Sequence, residues 1–362
     1  GQVAKRIWLH TTGPLGLLSF EHLSGLVSDY FGCTIAFMLA WPQSLMLRSL
    51  SLSLQPIKGE DQQSVVMDFK YIFSVPLTKQ MTRTEKFVQR SCLMFYCLGG
   101  ATFLLSPQIV GIVFTLDLVG HSDGYLRLLG LAVIEIGFIF IISARSYCRG
   151  SRYATILTSV VDRLVWANFI SLMLVEKGLL PFRLSLFWMV PNSIFALAIV
   201  VIWSQETKDA SVSKFLQEVT LDIKRFEMAK TEGLVATVFV LGVVQFCFWS
   251  LLVIRPDFAA IIFQLDKFSG FSQGFLASYF FVRSAHGLHY MIAASNGNLR
   301  VVSAFVCSRI LLNVPTFFCL LVFDQIEKNL FIALLSLELL ISTILLTIIM
   351  RAKAFKADHK IE

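Results

Sequence analysis

Residues 106–117 read SPQIVGIVFTLD, and residues 255–266 read RPDFAAIIFQLD. Ser106-Pro107 followed by Leu116-Asp117 thus returns as Arg255-Pro256 followed by Leu265-Asp266, 149 positions on. Working outward, Gly124, Gly137 and Ala144 return as Gly274, Gly287 and Ala294, 150 positions on. Val160–Arg163 (VVDR) returns as Val306–Arg309 (VCSR), 146 positions on. Each match alone is weak. A register kept across a whole set of hydrophobic segments is the mark of an internal repeat.

Composition sets the environment of that repeat. The chain of 362 residues is 56% hydrophobic and 15% charged, with a mean hydropathy of +0.71. Apolar runs at that density belong to a multi-pass membrane protein. The 33 phenylalanines suit lipid-facing and helix-packing surfaces. The net charge of +7 fits loops that set topology better than a nucleic-acid groove, since no Lys/Arg run is interleaved with aromatics. The seven cysteines (33, 92, 97, 148, 247, 307, 319) are scattered, with no CxxC pair, so neither a disulfide framework nor a zinc site is indicated. The chain begins at Gly1, which fits a removed presequence or an incomplete sequence.

Eight segments are apolar enough to span: about 91–115, 124–144, 154–176, 182–204, 234–254, 274–294, 299–323 and 329–350. The fold class expected is an all-α polytopic membrane protein with eight transmembrane helices. They form two tandem parallel four-helix modules, 71–204 and 233–352. Residues 1–70 read as an N-terminal extension, partly interfacial, with a stretch from Phe31 to Leu47 interrupted by Pro42. Residues 205–232 place Phe215, Leu216, Val219, Ile223 and Phe226 at helical spacing among charges, an amphipathic linker helix at the membrane surface or packed on inner loops. Residues 353–362 are a basic tail.

Loop charges alternate in step with the spans. Lys70, Lys79, Arg83, Lys86, Arg90, Arg145, Arg149, Arg152, Lys208, Lys214, Lys224, Arg225, Lys230, Arg351, Lys353, Lys356 and Lys360 fall on one side. Asp117, His121, Asp123, Asp257, Asp266 and Asp324 fall on the other. The alternation places both termini on the cytoplasmic or matrix side. Four spans per module give the modules one orientation, with a pseudo-two-fold along the membrane normal.

A charge near the bilayer centre costs several kcal/mol unless paired or wet, so the intramembrane charges carry the functional information. Glu135 and Arg163 lie at equal depth on antiparallel neighbours and are expected to pair. Arg309 holds the place of Arg163 in the second half, Ala285 stands where Glu135 would be, and Glu338 lies at the depth of Arg309. One buried Arg–Glu pair per module is therefore expected, serving to neutralise charge and set helix register. Asp162 points about 100° away from Arg163, toward a second cation or a wet cavity. Asn192 follows Pro191 and can satisfy a carbonyl freed there. Pro315 should kink its helix.

Arg283, His286, His289 and Tyr290 form a polar stripe on the sixth span, a possible ligand or lipid stripe with no counterpart in the first half. It suits either a proton relay or head-group site, or side chains bonding across helices. No nucleotide loop, HExxH, GxSxG or His-box cluster occurs, so no catalytic residue, metal ligand or cofactor is expected beyond bound lipids.

These features imply a non-catalytic integral membrane subunit with a structural or assembly role in a larger membrane complex. An energy-transducing organelle membrane, such as the mitochondrial inner membrane, fits the basic inner side. Its partners would be membrane lipids and other membrane subunits, not nucleic acid. The alternative is a small-molecule, ion or lipid transporter or binding protein using the buried charges of the second module. An enzyme using His286 or His289 as acid or base is the third class.

Overall fold

The computed structural model describes residues 80–146, 153–224, 233–295 and 299–358. The expected N-terminal extension, the loop at Arg149 and Arg152, the end of the linker and the last residues of the tail lie outside them. Among the described residues every regular element is a helix.

The chain opens with α1, Arg83–Leu105. Thr82 starts it with a capping box: Glu85 N donates to Thr82 Oγ1 at 3.2 Å, and Thr82 N donates to Glu85 Oε2 at 2.9 Å. The Glu206 carboxylate, distant in sequence, accepts from Arg83 N (2.5 Å), Thr84 N (3.0 Å) and Thr84 Oγ1 (2.6 Å). It supplies an acceptor to N–H groups that a helix start leaves unsatisfied.

The expected span over 91–115 is corrected here. The helix stops at Leu105, and Pro107 begins a separate short helix, α2, Pro107–Phe114. Proline lacks the N–H that would continue α1, and its ring clashes with the preceding turn. The long helices α3 (Ser122–Arg145), α4 (Thr155–Glu176) and α5 (Phe182–Glu206) follow. The linker holds α6, Val212–Lys224, whose Phe215 packs edge-on against Trp203 at 5.7 Å. Then come α7 (Gly233–Ile254), the short α8 (Asp257–Phe263), α9 (Ser272–Ser295), α10 (Arg300–Val322) and α11 (Lys328–Asp358).

Seven of these helices are long and apolar enough to cross a membrane: α1, α3, α4, α5, α7, α10 and α11. Several such helices mark an integral membrane protein. The remaining expected span, the sixth in chain order, corresponds to α9. Its 24 residues suffice for ~30 Å of hydrocarbon, but it carries Arg283, His286, His289 and four serines and is not among the seven. Nearly every side chain of α9 is buried, so neighbouring helices rather than lipid surround those polar groups.

The order long helix, short helix, long helix, π-turned helix, long helix occurs twice. Left-handed residues fall at matching places: Thr115 and Gln264, Gly120 and Gly270, Gly178 and Asp324. Contacts between the halves are reciprocal. A side chain at Gly124 would lie 1.7 Å from the Gln325 carbonyl oxygen, and one at Gly274 would lie 1.8 Å from the Leu179 carbonyl oxygen. Gln108 donates to Asp123 at 3.3 Å, and at the equivalent place Gln273 donates to Asp257 at 2.6 Å, with amide and acid exchanged. The helices α3 and α9 pack together in the middle. The most apolar stretch of α3 is 83% buried, against 22% for α5 on the periphery. Phe182, Leu186, Val190, Ile194, Leu197 and Val201 leave one side of α5 exposed and apolar.

Candidate functional site

The charges inside the bundle gather across α3, α9, α10 and α11. Glu135 on α3 accepts from Arg283 Nη1 on α9 at 2.5 Å. Arg283 Nη2 donates to Glu338 on α11, whose second oxygen accepts from Arg309 Nη1 on α10. Glu135 also accepts from Ser308 Oγ at 2.8 Å and from Asn313 Nδ2 at 3.1 Å. Arg309 donates from Nε to the Tyr290 hydroxyl at 2.7 Å and from Nη2 to Gln245 Oε1 at 2.9 Å. All four charged side chains are buried, and two guanidinium groups meet two carboxylates. The chain Glu135–Arg283–Glu338–Arg309 therefore sums to zero charge, the condition under which ions survive out of water.

The stripe of α9 divides within this frame. Arg283 joins Glu135 to Glu338, and Tyr290 serves Arg309 while stacking on Phe305 at 3.8 Å. His286 Nδ1 lies 2.7 Å from the Val282 carbonyl, an acceptor, so Nδ1 is the donor; its Nε2 lies 3.5 Å from Glu135. His289 stands edge-on to Phe140 at 4.9 Å, and neither ring nitrogen has a hydrogen-bond partner. Among the described residues no three His, Cys, Asp or Glu side chains gather as a metal site.

The expected pairs fare differently. Arg309 and Glu338 meet. Glu135 and Arg163 do not. Arg163 faces Phe140, five residues beyond Glu135 and so about 140° around α3 and roughly 7.5 Å along it. Arg163 is 1% exposed, and its guanidinium lies 4.8 Å from the Phe140 ring centre and 4.9 Å from that of Tyr96. Its Nη2 donates to Cys92 Sγ at 3.3 Å, while Nε and Nη1 have no hydrogen-bond partner. Asp162, also buried, leaves Oδ1 without a partner. Asn192 accepts from the Tyr96 hydroxyl and donates to the Trp188 carbonyl at 2.9 Å, one turn back across Pro191. Pro315 stands two residues after a π turn over Arg309–Asn313.

The two arginines occupy matching positions. Arg309 binds Gln245, Tyr290 and Glu338. At the places 149, 150 and 146 residues earlier stand Tyr96 and Phe140, whose rings flank Arg163, and Asn192, which bonds Tyr96. Each polar partner of one arginine is replaced by an aromatic or an amide around the other. Both arginines sit at a π turn, Asp162–Ala167 in α4 and Arg309–Asn313 in α10. An inserted residue there re-aims the side chains that follow. Next to Arg163 lies a cavity of about 90 Å³, bounded by α1, α3, α4, α5 and α9 and including Asp162, Tyr96 and Asn192 in its wall. Gln245, Ser308, Asn313 and Cys92 were not anticipated as members of either cluster. Ser308 and Cys92 carry no charge or motif that would have drawn notice. No family model, curated protein or solved structure matches this chain.

Proposed function

We propose that this protein is a non-catalytic integral membrane subunit with a structural or assembly role in a larger membrane complex. Its body is read as eight spans in two tandem parallel four-helix modules, related by a pseudo-two-fold along the membrane normal. The reciprocal contacts of Gly124 and Gly274, and the twice-repeated helix order, support the tandem reading. The length and burial of α9 support its place as a span, the sixth in chain order. The basic loops support termini on the cytoplasmic or matrix side, and the mitochondrial inner membrane is the compartment proposed. Membrane lipids and other membrane subunits are its proposed partners.

One observation carries the structural reading. A carrier needs an open polar cavity between its halves. Here Glu135 of the first half and Arg283, Glu338 and Arg309 of the second use one another as partners, so the charges where α3 meets α9 are engaged with each other and not held for a cargo. The alternative, a transporter that binds its cargo on these second-half charges, would have to break this network at each cycle.

The test is purification from the native membrane in a mild detergent, followed by native electrophoresis and mass spectrometry. Co-migration with other membrane proteins in one stable assembly is the expected result. A lone monomer or homodimer under the same extraction overturns the proposal.

A further inference from the structure

Arg309 and Arg163 hold matching places, but the bundle gives only Arg309 a counter-charge. The Glu338 carboxylate accepts from Arg309, and at the place matching Glu338, 146 residues earlier, stands the neutral Asn192. Among the described residues Arg163 forms no ion pair, although it is 1% exposed. Its Nε and Nη1 have no acceptor, and the buried Asp162 Oδ1 and Ser185 hydroxyl have no partner. Buried polar groups without partners are costly, and a guanidinium keeps its charge wherever it is placed. Arg309 and Glu338 meet in an ion pair. Their counterparts Arg163 and Asn192 instead share the wall of the 90 Å³ cavity, with Asp162 and Ser185.

Size restricts what can occupy it. At ~10–15 Å³ per water-sized group, the cavity takes roughly six to nine such groups. That admits a small organic acid and excludes the chain of a membrane lipid. Val133 and Leu184 are among its apolar walls, which suit a short alkyl group.

Charge restricts it further. A buried guanidinium with unused donors is best met by a carboxylate, which brings acceptor oxygens and one negative charge together. The same bound state is reached whether or not Asp162 is ionised beforehand. If Asp162 holds its proton, the ligand enters as the anion. If Asp162 is ionised, the ligand enters as the neutral acid. Either way the two carboxyl groups end with one proton between them and one negative charge, which Arg163 balances. We propose that the cavity binds a short-chain monocarboxylic acid, with its carboxyl group at Arg163 in the role that Glu338 plays for Arg309. This inference stands apart from the assembly role.

The experiment measures radiolabelled butyrate held by the purified full chain in detergent, by equilibrium dialysis. Unlabelled butyrate should displace the label. Butyramide, of similar shape but uncharged, and naphthoate, an acid whose two rings exceed the cavity, should not. Arg163→Met should weaken butyrate binding by about tenfold or more, as expected when one partner of a buried charge pair is removed. Asn192→Glu keeps Arg163 and supplies the carboxylate from the chain itself. It should weaken binding equally, with an unfolding temperature near that of the parent. The proposal is overturned if no butyrate is held, or if butyramide or naphthoate displaces it as well as butyrate does. It is also overturned if either variant, once shown to be folded, holds butyrate as the parent does. A chain that co-migrates with partners but holds no butyrate fails this inference alone; a lone monomer that holds butyrate fails the assembly reading alone.

Discussion

Arg309 and Arg163 are two buried arginines at matching places in two halves of one chain, and they live differently. Arg309 donates from all three guanidinium nitrogens, to a carboxylate, a phenol and an amide. Arg163 donates from one, to a thiol, and rests between two aromatic rings. The backbone around the two is alike, down to the π turn beside each. What differs is the side chains around them: Tyr96, Phe140 and Asn192 stand where Gln245, Tyr290 and Glu338 do, and Cys92 and Asp162 stand where Leu241 and Ser308 do. The contrast shows how a repeated frame can be closed by charge in one copy and left open in the other, with no change in helix order. It also separates two meanings of a buried charge: one is part of the wall, and the other faces a space.

The comparison can be broken most severely at Glu338, which serves both Arg283 and Arg309. Glu338→Ala leaves two buried cations with one carboxylate between them. A loss of about 3–5 kcal/mol or more is expected, read as loss of the folded, monodisperse protein in detergent. A more discriminating test compares the arginines directly. Arg309→Met should cost about 3–5 kcal/mol because it strands Glu338. Arg163→Met should cost less than about 2 kcal/mol, the scale of a desolvated cation–π contact. Thermal unfolding of the two variants, side by side, checks the ranking; equal losses would remove the distinction.

The likeness of the halves is tested at their glycines. Gly124→Ala and Gly274→Ala each drive a methyl into a carbonyl of the opposite half, and each should cost about 1–3 kcal/mol. If the contacts are equivalent, the two losses agree within about 0.5 kcal/mol. Gly99→Ala, with nothing within 4 Å of the added carbon, should be neutral or slightly stabilising in the same assay. The smallest change in stability is expected at Asn192→Glu, which gives Arg163 the carboxylate that Arg309 already has. A glutamate can still accept from Tyr96. Stability should shift by less than about 1 kcal/mol, read by thermal unfolding; a loss of several kcal/mol would show that the space around Arg163 does not admit a second carboxylate beside Asp162.

Much of this fold is legible in the amino-acid sequence. The spacing from Ser106-Pro107 to Arg255-Pro256 and the apolar runs place the long helices after the first within a few residues, while the first runs Arg83–Leu105 and not 91–115. The break at Pro107 is missed because the apolar run continues past it, although proline itself is the signal. The charged cluster is half legible. Depth along a helix is read easily, so Arg309 and Glu338 are brought together. Rotation and side-chain reach are not, so Glu135 is assigned to Arg163, whose guanidinium sits at Phe140, and not to Arg283. A further clue existed: α3 and α9 are matching helices, and Glu135 sits two places beyond Val133, the residue aligned with Arg283. The two matching helices pack against each other, which brings these near-equivalent positions together. Asp162, expected to face a second cation or a wet cavity, lines the same cavity as Arg163. The cavity itself could not be read from spacing, since it arises from what Tyr96, Phe140 and Asn192 fail to fill.

The bond between Glu135 and Arg283 spans 148 residues of chain. During synthesis at roughly 5–20 residues per second, Glu135 therefore emerges some 7–30 seconds before its cation. Over that interval α3 must sit with a carboxylate in an apolar layer, or wait beside the insertion machinery until α9 arrives. Arg283 in turn waits another 55 residues for Glu338. The order of manufacture thus runs against the order of satisfaction: the halves enter one after the other, but the first becomes a settled membrane body only when the second has delivered its charges.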